Sequence, residues 1–119
     1  MLRFHAPVYA GRIALEDLDY GGVEIKRGER MILNLPAANR DPAAFENPDE
    51  AVIDREKNRH VSFGIGIHRC AGSNLARLEM EVALGTWFAR IPEFELSDPE
   101  AVTWSMGQVR GARAVPVIF

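Results

Sequence analysis

The sequence predicts a small α+β chain: short antiparallel strands, an irregular loop, one long helix and a C-terminal β-hairpin. Three observations predict it. Short apolar runs between residues 12 and 35 are separated by glycine turns, as in a small antiparallel sheet. Residues 73–90 carry apolar side chains at helical spacing with no proline among them. Residues 93–119 return to short extended runs broken by Ser-Asp-Pro and by glycine. The chain has 119 residues, of which 47% are hydrophobic and 26% charged, enough apolar side chain for a core. A net charge of −3 argues against general binding to nucleic acid. No apolar run is long enough to span a bilayer, and no charged-then-apolar leader follows Met1. A single cysteine excludes an internal disulfide and fits a reducing cytoplasm.

Taken in order, Met1-Leu2-Arg3-Phe4-His5 offers no capping residue and reads as the end of a helix. Pro7 then disfavours helix at Ala6. Strands are expected at Arg12-Ile13-Ala14-Leu15, at Val23-Glu24-Ile25 and over residues 30–35. Asp19-Tyr20-Gly21-Gly22 and Lys26-Arg27-Gly28-Glu29 form the turns between them. Pro36 ends the last strand, and a short helical turn can follow through Phe45. Residues 46–59 are polar, lack a period and read as irregular loop. In the long helix, Leu75, Leu78, Val82 and Ala89 make one stripe, and Met80, Leu84, Trp87 and Ile91 make a second. A helix apolar on two faces belongs in the body of a protein, with Trp87 and Phe88 in its core. Pro92 closes it. Residues 93–96 alternate like a strand, residues 97–100 turn, and residues 102–106 are extended. Residues 107–111 then form a hairpin tip, with a return strand over 114–119 whose Pro116 suggests an edge.

The chemistry concentrates in Phe63-Gly64-Ile65-Gly66-Ile67-His68-Arg69-Cys70-Ala71-Gly72, just before the long helix. A lone cysteine is most often a small buried hydrophobe. Here Gly64 and Gly66 allow positive φ and a tightly coiled loop, and Gly72 removes bulk two residues past the sulfur. A helix starting near Ala71 turns its positive end toward Cys70, which favours the thiolate, the form that binds metal. A thiolate on a glycine-rich loop suits one axial position of a haem iron.

This stretch matches Phe-Gly-x-Gly-x-His-x-Cys-x-Gly at every specified position, and in this the chain resembles the haem-thiolate monooxygenases, the cytochromes P450. The resemblance implies that Cys70 is the axial thiolate and the iron ligand. It places Phe63 near the sulfur, His68 at one propionate of haem b (iron protoporphyrin IX) and Arg12 at the second, with Gly64, Ala71, Gly72 and Ala76 completing the cofactor-binding set. Pro7 and Val8, with Gln108 and Val109 at the hairpin tip, correspond to substrate-pocket positions. Arg69 and Arg77 flank the cysteine loop, where positive charge would steer a ferredoxin-type electron donor. Arg3 corresponds to the arginine of the family's Glu-x-x-Arg helix, whose glutamate would fall one residue before Met1. With that partner lost, Arg3 is expected to be a solvated terminal arginine. Arg40 and Arg55 are both candidates for the arginine of the family's meander.

The resemblance covers the whole chain but only the C-terminal portion of a family member. Residues 1–119 are therefore expected to be the C-terminal haem-binding part of the cytochrome P450 fold, which is mainly α at full length: small antiparallel sheet, meander, cysteine loop, long helix and C-terminal hairpin. The distal helices, with their proton relay, have no counterpart here. The implied chemistry is insertion of one oxygen atom from O2 into a small organic substrate in the cytoplasm, with no membrane partner. Three readings follow: a monooxygenase fragment, a non-catalytic haem-binding module, and a haem-free fragment that folds or self-associates through exposed apolar surface.

Overall fold

The computed structural model describes residues 1–105 and 107–119. Met106, expected within the extended run 102–106, lies outside the described residues. The chain forms two compact units, Met1–Ser62 and Phe63–Phe119.

In the first unit, strand β1 (Ala10–Ile13) pairs antiparallel with β4 (Arg30–Leu33), placing Arg12 opposite Met31. The buried Ala14 extends this pairing, donating to Glu29 O at 3.0 Å and accepting from Gly28 N at 2.8 Å. A second antiparallel pair joins β2 (Leu18–Tyr20) to β3 (Val23–Ile25) through Gly21-Gly22. Both glycines have positive φ, +62° and +82°, as a two-residue hairpin loop matched to strand twist requires. The expectation of a turn already at Asp19-Tyr20 is thus corrected. Those residues are the last of a strand, and only the two glycines turn. The expected single sheet is two separate pairs.

Asn34 caps the short helix α1 (Leu35–Ala38), its Oδ1 accepting from Ala37 N at 3.0 Å, with Pro36 in the first turn. The strand therefore stops at Leu33, before the proline. The turn expected through Phe45 is present, with Ala44 and Phe45 both donating to Asp41 O.

The centre of this unit is polar. Arg3 is only 3% exposed, against the expectation of a solvated terminal arginine. Its guanidinium donates to the carbonyls of Asn39 (2.8 Å), Pro48 (2.7 Å) and Glu50 (2.8 Å) and lies 5.0 Å from the Phe45 ring. Carbonyl oxygens here satisfy a buried cation that sequence reasoning would match only to a carboxylate. Asn39 is fully buried: its Nδ2 donates to Ser62 Oγ at 2.8 Å and its Oδ1 accepts from Val61 N at 2.7 Å. Ser62 Oγ in turn donates to Leu2 O at 2.8 Å. One asparagine thus ties the first residues of the unit to its last.

In the second unit, helix α2 (Ser73–Arg90) is the longest element. Strand β5 (Glu95–Leu96) pairs antiparallel with β8 (Val117–Ile118), and β6 (Thr103–Trp104) with β7 (Ala112–Ala114) through a bulge. The return strand expected over 114–119 is accordingly divided. Its first part closes the hairpin and its last part crosses to β5, with Pro116 between them accepting from Ser97 N at 3.0 Å. At the hairpin end, Ser105 Oγ accepts from Gly111 N at 2.9 Å and lies 3.0 Å from Val109 O.

Helix α2 carries apolar residues all round, as expected, yet it is not buried. Leu75, Leu78 and Val82 are 59%, 57% and 59% exposed, and Ser73 is its one buried residue among those described. Trp87 and Phe88 rest on Phe94, with ring centroids 5.4 and 6.0 Å apart, but stay partly exposed instead of forming a core. The periodicity of α2 reports a need for covering surface that these residues do not supply.

Replacing Asn39 by alanine leaves the Val61 amide without its acceptor and removes the donor to Ser62 Oγ, whose own bond to Leu2 O remains. Asn39→Ala is expected to lower stability by about 1–3 kcal/mol, read from the urea midpoint; an unchanged midpoint would contradict the role given to Asn39.

Candidate functional site

The loop between Phe63 and Cys70 is set by backbone chemistry. Gly64 and Gly66 have φ of +70° and +63°, with Ile65 extended between them. Residues Gly66–His68 make one 3-10 turn, closed by Arg69 N donating to Gly66 O at 3.1 Å. The Cys70 amide then donates to Phe63 O at 2.8 Å, bringing the two ends together. A Cβ on Gly64 would meet the His68 carbonyl oxygen at 3.4 Å in a conformation that L residues rarely adopt. Gly72 differs. Its φ is −82°, and an added Cβ would sit 3.9 Å from Cys70 Sγ, ordinary contact. The expectation that Gly72 clears space beside the sulfur is therefore weaker than the loop glycines' case.

Helix α2 starts at Ser73, two residues after the expected position. Ser73 N donates to Cys70 O at 3.2 Å and Ala76 N to Gly72 O at 2.9 Å. This places the cysteine on the first turn's approach, at the positive end of an 18-residue helix. Cys70 is a free, exposed thiol. Ile65 and Ile67 on the same loop are 71% and 97% exposed, so the loop presents one soft donor beside apolar surface. Among the described residues no group of three or more His, Cys, Asp or Glu side chains could hold a metal ion. A lone thiolate does not capture a bare ion well, but it fits a metal whose other positions are filled by a macrocycle. The donor set therefore fits haem.

Of the other expected site residues in this unit, His68 ends the 3-10 turn and is exposed, as are Arg69 and Ala71, while Ala76 on α2 is half-buried. The guanidinium of Arg77 lies 5.2 Å from the Phe63 ring, a cation–π contact that braces the start of the loop. Gln108 and Val109 are exposed at the hairpin end. In the first unit, Arg12 is half-buried on β1 and donates to Gly11 O at 2.8 Å, and Pro7 and Val8 are half-buried just before that strand.

The two meander candidates separate clearly. Arg40 pairs with Asp49 at 2.9 Å, donates to Phe4 O at 3.2 Å and lies 4.2 Å from the Phe4 ring. Arg55 instead donates to Glu46 O (2.5 Å) and Asn47 O (3.1 Å), bracing the meander itself. Burial, then repulsion from Arg55 and Arg40, lowers Arg3 below the usual arginine value, with Asp49 opposing. Sequence reasoning missed Asn39 and Ser62, because nothing in Ala37-Ala38-Asn39-Arg40 marks an asparagine destined for full burial.

A family model described as Cytochrome P450 matches residues 1–106. The polyketide biosynthesis cytochrome P450 PksS of Bacillus subtilis (strain 168) is 44% identical over 121 residues, a match covering 98% of this chain and 30% of that protein. Its solved structure superposes with a TM-score of 0.92 at 43% identity, covering 98% of this chain and 31% of that one. P450BioI, solved in complex with an acyl carrier protein ligated to hexadec-9Z-enoic acid, gives a TM-score of 0.89 at 43% identity, covering 99% and 31%. The chain thus spans about 30% of the length of the curated relatives it matches.

The loop geometry predicts an order among glycine substitutions. Gly64→Ala and Gly66→Ala force a side chain into the left-handed region at about 1–2 kcal/mol each. Hydrogen exchange at the Cys70 amide should accelerate roughly 5- to 30-fold in either variant and remain near wild type in Gly72→Ala. Equal effects at all three would contradict the loop assignment.

Proposed function

The chain belongs to the cytochrome P450 family, and from that premise we propose that residues 1–119 are the C-terminal haem-binding portion of a monooxygenase. The carrying observation is the exposed Cys70 on its closed glycine loop at the start of α2. Bound haem b would supply the iron at which O2 is activated, one oxygen atom entering a small organic substrate and the other leaving as water.

The chain's own residues have separable tasks. Cys70, its backbone fixed by Phe63 O, would supply the thiolate that holds the iron. Phe63, braced by Arg77, gives the loop an aromatic wall. Gly64, Ala71, Gly72 and Ala76 would keep backbone and small side chains against the cofactor. His68 would donate to one propionate. Arg12 would donate to the other, where a guanidinium can offer two hydrogen bonds. Pro7, Val8, Gln108 and Val109 contribute to the substrate side, Pro7 and Val8 excluding water with apolar surface. The polyketide and acyl-chain associations named for the relatives support a long apolar carbon chain as the first substrate class to try. Electrons would come from a ferredoxin-type donor, with Arg69 and Arg77 on its approach. No helix among the described residues is long and apolar enough to cross a membrane, and a cytoplasmic site of action is proposed.

A second reading has its own observation. The exposed apolar residues of α2 favour self-association of this chain.

Titration with haem, followed by reduction under carbon monoxide, tests the proposal. A strongly red-shifted Soret band is expected, absent in Cys70→Ala. His68→Ala should weaken haem uptake and leave the band position unchanged. No uptake by the wild-type chain would overturn the assignment.

A further inference from the structure

Two arms of the second unit meet around Cys70. On one side, the Phe63 carbonyl accepts from the Cys70 amide at 2.8 Å. On the other, Ser73 N donates to Cys70 O at 3.2 Å and opens α2, which carries Arg77 as its fifth residue. The Arg77 guanidinium returns to the Phe63 ring, 5.2 Å from its centroid. Main chain, helix and cation–π contact therefore close a ring that contains the cysteine. Charge along this stretch has one sign. Residues 63–78 include Arg69 and Arg77 and no aspartate or glutamate, the first acid on α2 being Glu79. The positive end of α2 adds to the two arginines.

We propose that Arg77 is a positioning residue for the iron-ligand loop. By holding the Phe63 ring it keeps the bond from Cys70 N to Phe63 O closed, and its charge raises the reduction potential of iron held by Cys70. A fixed cation beside an iron–thiolate pair favours the state with one more electron, so its removal lowers the potential. This rests on the haem-binding reading and deepens it. Arg77 also stands on the approach proposed for an electron donor, and the two roles separate cleanly. Docking acts only when a donor is present, whereas the strap across the loop acts in the chain by itself.

The test compares Arg77→Met, which keeps a long stem and removes the charge, with Arg77→Lys, which keeps the charge. In the chain without haem, exchange of the Cys70 amide is expected to accelerate about 2- to 5-fold in Arg77→Met and to stay near wild type in Arg77→Lys. Phe63→Leu should accelerate it too, and the double variant Phe63→Leu/Arg77→Met should add nothing beyond Phe63→Leu. In the haem-loaded chain without a donor, a potentiometric titration followed at the Soret band should give a lower midpoint in Arg77→Met. Arg77→Lys should restore the wild-type midpoint. Exchange and midpoint both at wild-type values in Arg77→Met overturn the proposal and confine Arg77 to docking. Additive effects in the double variant also overturn it, since Arg77 and Phe63 would then act separately. A wild-type chain that takes up no haem fails the haem-binding reading and the claim on the potential with it, while amide exchange still decides the strap.

Discussion

A single backbone hydrogen bond, from the Cys70 amide to the Phe63 carbonyl, is the constraint on which the site depends. It closes a loop whose course is possible only because Gly64 and Gly66 take positive φ. Once closed, the loop delivers the sulfur to the N-terminal end of α2 and leaves it exposed. The thiol is thereby positioned by the main chain, before any packing around it. That separates this cysteine from a buried structural one, whose place is set by the volume it fills.

The first unit solves a different problem. It has few buried apolar side chains, Ala6, Ala14 and Phe45 among those described, and it is held instead by Arg3 and Asn39. Both act on backbone carbonyls, amides and one hydroxyl far away in sequence, so they fix an irregular chain that no ladder or helix would fix. Such a centre is specific because each donor has one matching acceptor, and it is fragile for the same reason. The second unit carries the opposite imbalance, with apolar surface on α2 in excess of what its own strands cover.

Much of this was legible in the sequence. The extent of α2 followed from an unbroken helical pattern, and the Gly21-Gly22 turn from a glycine pair between apolar runs. The cysteine loop was legible because its glycines carry the conformation that the function needs. What was hidden has identifiable causes. Tyr20 beside two glycines reads as turn, yet a two-residue hairpin loop lets strand run to its edge. Pro116 reads as an edge residue within one strand, whereas it divides two strands with different partners. Periodicity shows that α2 has apolar faces and cannot show whether anything covers them. Arg3 was expected in solvent because a charge pattern registers side-chain partners and is blind to carbonyls that only the fold assembles.

Iron-edge X-ray absorption on the haem-loaded chain would show whether Cys70 is the iron ligand. One sulfur scatterer is expected in the first shell of the iron, lost in Cys70→Ala while the four macrocycle nitrogens remain. A first shell of nitrogen or oxygen alone, identical in the two proteins, would contradict it.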